Sequence, residues 1–257
     1  MIDTHAHLFY RDFEGQLESV IQRAWDAGLS HLICVGLNLA TSEQAINIAE
    51  KHDHVWATVG VHPHDAGAAP VDYLAHLERM ASHEKVVAIG EMGLDFFRNL
   101  TPPERQIDVF REQLALARSL NLPAIIHSRQ ADDAIFETVS GIGHHNAVVH
   151  CFSSAADFAR KMVDMGLHIS FTGTVTFGKN HNAAALQEVG LEKVMVETDC
   201  PYLAPVPMRG KTNEPSYLPH TVSKIAEICS LPAQEVADIT SRNARAFFGL
   251  QNGEVQP

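Results

Sequence analysis

Eight short runs of apolar, often β-branched residues punctuate this 257-residue chain, each followed by a longer segment of helical period. The runs are IDTHAH (2–7), HLICVG (31–36), VWATVGVH (55–62), VVAIGEMG (86–93), PAIIHS (123–128), AVVHCF (147–152), HISFTG (168–173) and VMVETD (194–199). Strands this apolar turn neither face to water, as expected of parallel strands covered by helices. The repetition predicts an α/β fold, a closed (β/α)8 TIM barrel with residues 1–257 as a single domain, because barrels of this length routinely form one. An open doubly wound sheet is the alternative fold, but no G-x-G-x-x-G loop supports its dinucleotide-binding version.

Local signals place the helices. Thr101-Pro102-Pro103-Glu104 predicts an N-cap threonine, a proline at the first helical position and a capping-box glutamate, ahead of the apolar stripe Ile107, Phe110, Leu114 and Ala117. Ser154 is the expected cap of a helix carrying Phe158, Met162 and Met165, which Gly166 ends in a left-handed conformation.

The polar residues break this apolar pattern at one kind of position. His5 and His7 close the first run, His62 the third, Glu91 the fourth, His127 the fifth, His150 the sixth and Asp199 the eighth. In a parallel barrel all those ends open on one face, where the catalytic residues of such barrels lie. Burying each group there without a partner costs about 1–3 kcal/mol, and a metal site resolves the cost, since imidazoles and carboxylates can share an ion and one carboxylate can bridge two. In a regular strand Asp3 shares a face with His5 and His7, which makes it an expected partner of one of those rings from deeper in the barrel. Glu197 is expected to orient a ligand or, alternatively, to be a polar residue of the barrel interior. His31, His52, His54, His76, His83, His168, His181 and His220 are expected to be structural, and His144 and His145 fall at the opposite end of the barrel.

Composition narrows the function classes. A formal net charge of -12 argues against a protein that coats nucleic acid, while leaving room for a local cationic site. The four cysteines form no C-x-x-C pair and suit a reducing compartment. With no signal-like N-terminus and no apolar run approaching membrane length, a cytoplasmic protein with no membrane partner is expected.

In order along the chain, IDTHAHL, VGVHPH, AIGEMGLDF, PAIIHSRQA, VVHCFS, VMVETDCPYLAP, KTNEPSYLPH and NARAFFGL resemble the successive motifs of the TatD family of metal-dependent hydrolases, within the amidohydrolase-like barrels. The resemblance implies that His5, His7, Glu91 and Asp199 hold one metal and that Glu91, His127 and His150 hold a second, with Glu91 as the bridge. Two divalent ions are then expected as cofactors, Zn, Mn, Co, Fe or Mg, the histidines favouring the first four. The wider superfamily often bridges its metals with a carboxylated lysine, but here Lys85 lies before the fourth strand and Glu91 takes that place. The chain departs from the family at Ala6, where Cys is frequent, and at Phe96-Phe97-Arg98, where tyrosines are usual.

The resemblance implies hydrolysis of DNA phosphodiesters from an end, with Glu91 and Asp199 as catalytic residues and Asp199 as general base. DNA ends or single strands are the expected partner, with no obligatory protein partner. Arg98, Arg129, Lys179, Arg209 and Lys211 fall in loops after strand ends, where they could meet phosphates, and Phe96-Phe97 could stack bases or seal the barrel mouth. His62 is expected to contact phosphate or to add a metal ligand. Two other readings stand beside this one: a small-molecule amidohydrolase, lactonase or phosphoesterase using the same dinuclear site, and a binding scaffold with a structural metal.

Overall fold

The computed structural model describes residues 1–178 and 182–250, so Lys179 and His181 lie outside the described residues. Its first half runs β1 (Ile2–Ala6), α1 (Leu17–Asp26), β2 (His31–Val35), α2 (Leu39–Ala49), β3 (Val55–Val59), α3 (Tyr73–Ala81), β4 (Val86–Asp95) and α4 (Pro103–Leu120). The second half runs β5 (Ala124–Arg129), α5 (Asp132–Ile142), β6 (Ala147–Val149), α6 (Ala156–Asp164), β7 (His168–Phe171), α7 (Asn182–Val189), β8 (Val194–Val196), α8 (Leu218–Cys229) and α9 (Ala233–Phe248). All eight strands are parallel and pair in chain order. An Ala6–Cys200 bridge brings the chain after β8 against β1, and the expected (β/α)8 barrel results.

Alternation along the strands builds two apolar layers. Leu32, Cys34, Ala57, Ile126, Val149, Ile169 and Val196 pack into the shell beneath the helices. Their neighbours Ile33, Val35, Ile125, Val148 and Met195 form a second cluster, joined by Phe247 and Phe248 of α9. Helix α9 thus plugs the barrel at the end where strands begin, leaving the strand exits free for chemistry. Phe247 packs on His168 at the start of β7, with ring centroids 5.0 Å apart.

Several local expectations are corrected. Thr101 does not cap α4: the helix starts at Pro103, and the Thr101 hydroxyl instead donates to the His64 carbonyl and accepts the Gly67 amide. Ser154 does not cap α6 either, because its hydroxyl donates to Asp132 Oδ1 and Ala155 takes the cap position. In both cases a tertiary partner wins the hydroxyl from the helix end. Gly166 does adopt the left-handed conformation expected of it, with φ +100°. The third run stops pairing at Val59, short of residue 62, whereas β4 extends to Asp95, two residues beyond expectation.

The largest correction concerns β1. Asp3 pairs with Leu32 and Ala6 with Cys34, so β1 advances three residues while β2 advances two. This bulge resets the alternation: Asp3 and Ala6 lie with the outward-facing residues of β2, and the shared face expected for Asp3, His5 and His7 is broken. Asp3 accepts hydrogen bonds from the Thr198 amide at 2.9 Å, the Thr198 hydroxyl at 2.6 Å and the His5 amide at 3.3 Å. It fastens β1 to the chain after β8 and touches neither histidine ring.

At the closed end, His31 is buried beside Ser30, and burial, with the positive surroundings of His54, Arg245 and the N-terminal amine, pushes its pKa down to about 4. Its proton affinity is therefore lower in the folded chain than in the unfolded one, where 6.5 applies. The resulting stability is present above pH 6.5 and is lost as pH falls toward 4. We expect the urea midpoint of wild type to drop between pH 7 and pH 5, and the drop to shrink in His31→Gln; equal drops in both would remove His31 as a source.

Candidate metal centre

The strand exits converge on Glu91. Its strand takes an irregular course: Ile89 pairs with Ala124 and Met92 with Ile126, so β4 carries one extra residue around Gly90 and Glu91. Two glycines permit this approach. A Cβ on Gly93, at φ +133°, would sit 2.1 Å from the His127 carbonyl oxygen, and one on Gly60 would sit 2.6 Å from the Gly90 carbonyl carbon. Without side chains there, β3, β4 and β5 close up and set the Glu91 carboxylate among the histidines.

The two carboxylate oxygens face different groups. Oε2 lies 3.2 Å from His5 Nε2 and 3.9 Å from His7 Nε2. Those two nitrogens are 3.3 Å apart, and Asp199 Oδ1 stands 3.8 Å from the first and 3.4 Å from the second. Oε1 lies 2.7 Å from His150 Nε2, 3.0 Å from His127 Nδ1 and 3.4 Å from His62 Nε2, with His127 and His150 themselves 3.3 Å apart. Four tetrahedral donors at about 2.0–2.1 Å from a zinc-like ion would be separated by about 3.3 Å. Donors at this spacing, drawn from imidazole and carboxylate, fit metal ions on both sides of Glu91.

The backs of the rings reinforce the fit. His7 Nδ1 donates to the Val35 carbonyl at 2.8 Å, which leaves the Nε2 lone pair facing Asp199. His150 turns Nδ1 toward Glu197 Oε1 at 3.4 Å and Nε2 toward Glu91. Glu197 is fixed in turn by the Cys151 amide at 2.6 Å and the Ser170 hydroxyl at 2.7 Å, so it lies where an orienter of His150 is expected. His5 Nδ1 is buried with no hydrogen-bond partner among the described residues, which again shows that Asp3 does not serve that ring.

His62 differs from the others. Its Nδ1 accepts the His64 amide at 3.1 Å, and burial pushes its pKa down to about 4, so it is a neutral ring with its proton on Nε2. In that state it points an N–H donor at the cluster, while its Nε2 also stands in one of the donor groups that could hold an ion, with Glu91 and His127.

Burial opposes charge throughout the centre; it wins at His5 and His62, whereas at Glu91 and His150 the neighbours prevail. His150, His62 and His5 hold Glu91 well below the usual carboxylate range despite its burial. Glu91 and Glu197 hold His150 well above the usual histidine range against the same penalty. Cationic charge is therefore what the buried carboxylates require.

Above the cluster opens a cleft of about 670 Å³, lined by His7, Tyr10, His62, Glu91, Arg98, His127, Arg129, His150, Asp199 and Tyr202 among others. Arg98 and Arg129 thus reach the cleft, and the Arg129 guanidinium lies 4.3 Å from the centroid of the Phe97 ring. Phe97 is exposed, whereas Phe96 packs against the core. Arg209 and Lys211 do not line the cleft; the Arg209 guanidinium stacks on Phe177 at 3.8 Å, which draws it aside. Periodicity alone does not single out Asp95, which is buried beside His127 and His64, nor Tyr10 and Tyr202 in the cleft wall. The available signal for Asp95 was its acid side chain in the apolar run AIGEMGLDF.

A (β/α)8 barrel with carboxylates and histidines gathered at its strand exits defines a hydrolase of the metal-dependent barrel class. The family model described as TatD related DNase matches residues 2–249, and the chain belongs to the TatD family of metal-dependent hydrolases. It is 39% identical over 254 residues to the uncharacterized metal-dependent hydrolase YabD of Bacillus subtilis, covering 97% of this chain and 99% of that one. It is 36% identical over 261 residues to a protein of Erwinia amylovora named 3'-5' ssDNA/RNA exonuclease TatD, covering 97% and 100% of the two chains. The crystal structure of YjjV, a TatD homologue from Escherichia coli K12, superposes with a TM-score of 0.93 at 29% identity, covering 98% of each chain.

If the donor cluster binds metal only in the folded protein, zinc added to chelator-stripped wild type at about a hundredfold excess over Kd is expected to raise Tm by about 5–10 °C. Glu91→Gln should lose most of that shift. A wild-type Tm unmoved by zinc would rule the centre out.

Proposed function

We propose that this chain is a two-metal exonuclease that removes nucleotides from the ends of single-stranded DNA in the cytoplasm, with residues 1–257 acting as one catalytic domain. The observation that carries this reading is the pairing, in one cleft, of the Glu91 donor cluster with the cationic side chains of Arg98 and Arg129. A phosphodiester needs both, whereas an apolar pocket over the metals would favour a neutral amide or lactone. Relatives named 3'-5' ssDNA/RNA exonucleases support single strands as substrate and 3'-to-5' as direction.

His5, His7, Glu91 and Asp199 would hold one ion and Glu91, His127 and His150 the other. Divalent ions there would supply Lewis-acid neutralisation of the phosphate and a water activated near neutral pH. Around them the chain's own groups have separable tasks. Asp199 takes the proton of the attacking water and passes it to the leaving oxygen. Its side chain is 15% exposed, against 3% for Glu91 and 1% for Glu197 and Asp95, so it is the carboxylate of this set most open to water in the cleft. His62 offers its Nε2 proton to a phosphate oxygen, a donor role that its hydrogen bonding favours over ligation. Arg129, stacked on Phe97, presents a guanidinium with reduced freedom to the phosphate one step along the strand, and the exposed face of Phe97 is open to a base.

The test is metal-reconstituted protein on end-labelled single- and double-stranded DNA, with His127→Ala as control and a lactone and amide panel in parallel. Stepwise shortening of the single strand, absent in the control, is expected; turnover confined to the panel would replace the nuclease reading. Asp199→Asn should lower kcat by about 10²- to 10⁴-fold, and full turnover in that variant would remove Asp199 as the base.

A further inference from the structure

We propose that Asp95 is a positioning residue that holds His127 in the one tautomer able to offer Nδ1 to a metal, while its second carboxylate oxygen ties down the cleft-side loop that carries Phe97 and Arg98. The side chain is 1% exposed and absent from the cleft lining, so it acts through its neighbours and does not touch substrate.

The two oxygens of Asp95 do different work. Oδ1 accepts the backbone amides of Phe97 at 3.0 Å and Arg98 at 2.7 Å, a turn that starts the loop after β4. Oδ2 faces two rings, His64 Nε2 at 2.8 Å and His127 Nε2 at 3.4 Å. An ionised carboxylate only accepts, so each of those nitrogens carries a proton. Glu91 Oε1 lies 3.0 Å from Nδ1, so without an ion both ring nitrogens are placed to donate. For a neutral His127 that ligates a metal, the Asp95 contact would select Nε2 for the proton and leave Nδ1, also 3.3 Å from His150 Nε2, as the ligand atom. Asp95 is itself braced: Gln106 accepts its amide at 2.8 Å and donates to its carbonyl at 3.2 Å, and both side chains are buried. Carboxylate, imidazole and ligand position thus form a relay of fixed proton assignments, equivalent for His127 to what Glu197 provides for His150 and the Val35 carbonyl for His7.

The division of labour between the oxygens makes Asp95→Asn selective. With its carbonyl oxygen at the Oδ1 place the amide still accepts Phe97 and Arg98, while its NH2 group meets the His127 and His64 protons donor to donor. His64→Gln is the control, since it changes only the other group at Oδ2 and leaves the His127 contact in place.

This inference rests on the proposed assignment of His127 as a ligand of the second ion, and zinc binding separates the two. Zinc titrated into stripped protein against a chromophoric chelator should give two affinities in wild type and lose one in His127→Ala. Two undiminished affinities in His127→Ala would overturn the ligand assignment itself. In Asp95→Asn the same single affinity should fall about 10- to 100-fold with the other unchanged, and His64→Gln should match wild type. In zinc-loaded wild type, ring 15N shifts should report His127 protonated at Nε2, and in Asp95→Asn that signature should be lost or redistributed. Wild-type affinities in Asp95→Asn, an equal fall in both, or an unchanged tautomer signal would each overturn the positioning role.

Discussion

Glu91 is a carboxylate buried to 2% of its surface, and the rest of the site is arranged around the cost of keeping it charged. A buried anion without compensation would take up a proton, which would end the bridging role proposed for it. Four histidine nitrogens within 3.4 Å of its two oxygens hold it ionised. Two of those rings face, on their far side, carboxylates that only accept, Glu197 behind His150 and Asp95 behind His127, and the neighbouring His7 is held the same way by the Val35 carbonyl. The order of dependence runs from Glu91 to the rings to their outer partners. A change at any level is felt as a change in where protons sit before it is felt as a loss of packing.

Regular strands could not deliver this convergence. Side chains that alternate strictly would send half of the exit residues outward, so the barrel gains its site by breaking its own period. The extra residue in β1 brings His5 inward, the extra residue in β4 advances Glu91, and His150 and Asp199 adjoin or occupy left-handed positions, with Cys151 at φ +47° and Asp199 at φ +56°. Non-glycine residues held at such angles cost about 1–3 kcal/mol each, and a stable barrel below them offsets that cost. Helix α9 and the inner apolar cluster fill the closed end, while the register shifts around His5 and Glu91 and the left-handed residues Cys151 and Asp199 shape the open end.

The periodic part of the molecule was legible in the sequence because apolar alternation is a local property. Eight strands, their order and the mouth to which His5, His7, Glu91, His127, His150 and Asp199 belong all follow from counting along the chain. Bulges are not local in that sense. The face of Asp3 depends on the register of β1 against β2, which no residue within IDTHAH announces: strict alternation sets Asp3 beside the rings, whereas it secures Thr198 instead. Thr101 and Ser154 failed as caps for a related reason: each hydroxyl found a partner distant in sequence, His64 in one case and Asp132 in the other. Arg209 lies after a strand end as expected, yet the nearby Phe177 ring sets where its charge sits.

The polyanionic substrate proposed for so acidic a chain poses an electrostatic problem, and the geometry localises the answer. The formal charge of -12 is spread over the whole sequence, while at the mouth Arg98 and Arg129 stand beside a ligand cluster whose buried carboxylates demand cations. At physiological salt the Debye length is about 8 Å, so remote surface carboxylates are largely screened from a phosphate at the floor of the cleft. What the phosphate meets is the local sum, and that sum turns positive once the carboxylates have their cations. Affinity built this way is confined to the mouth, which suits a strand end delivered to one point more than a duplex held along its length.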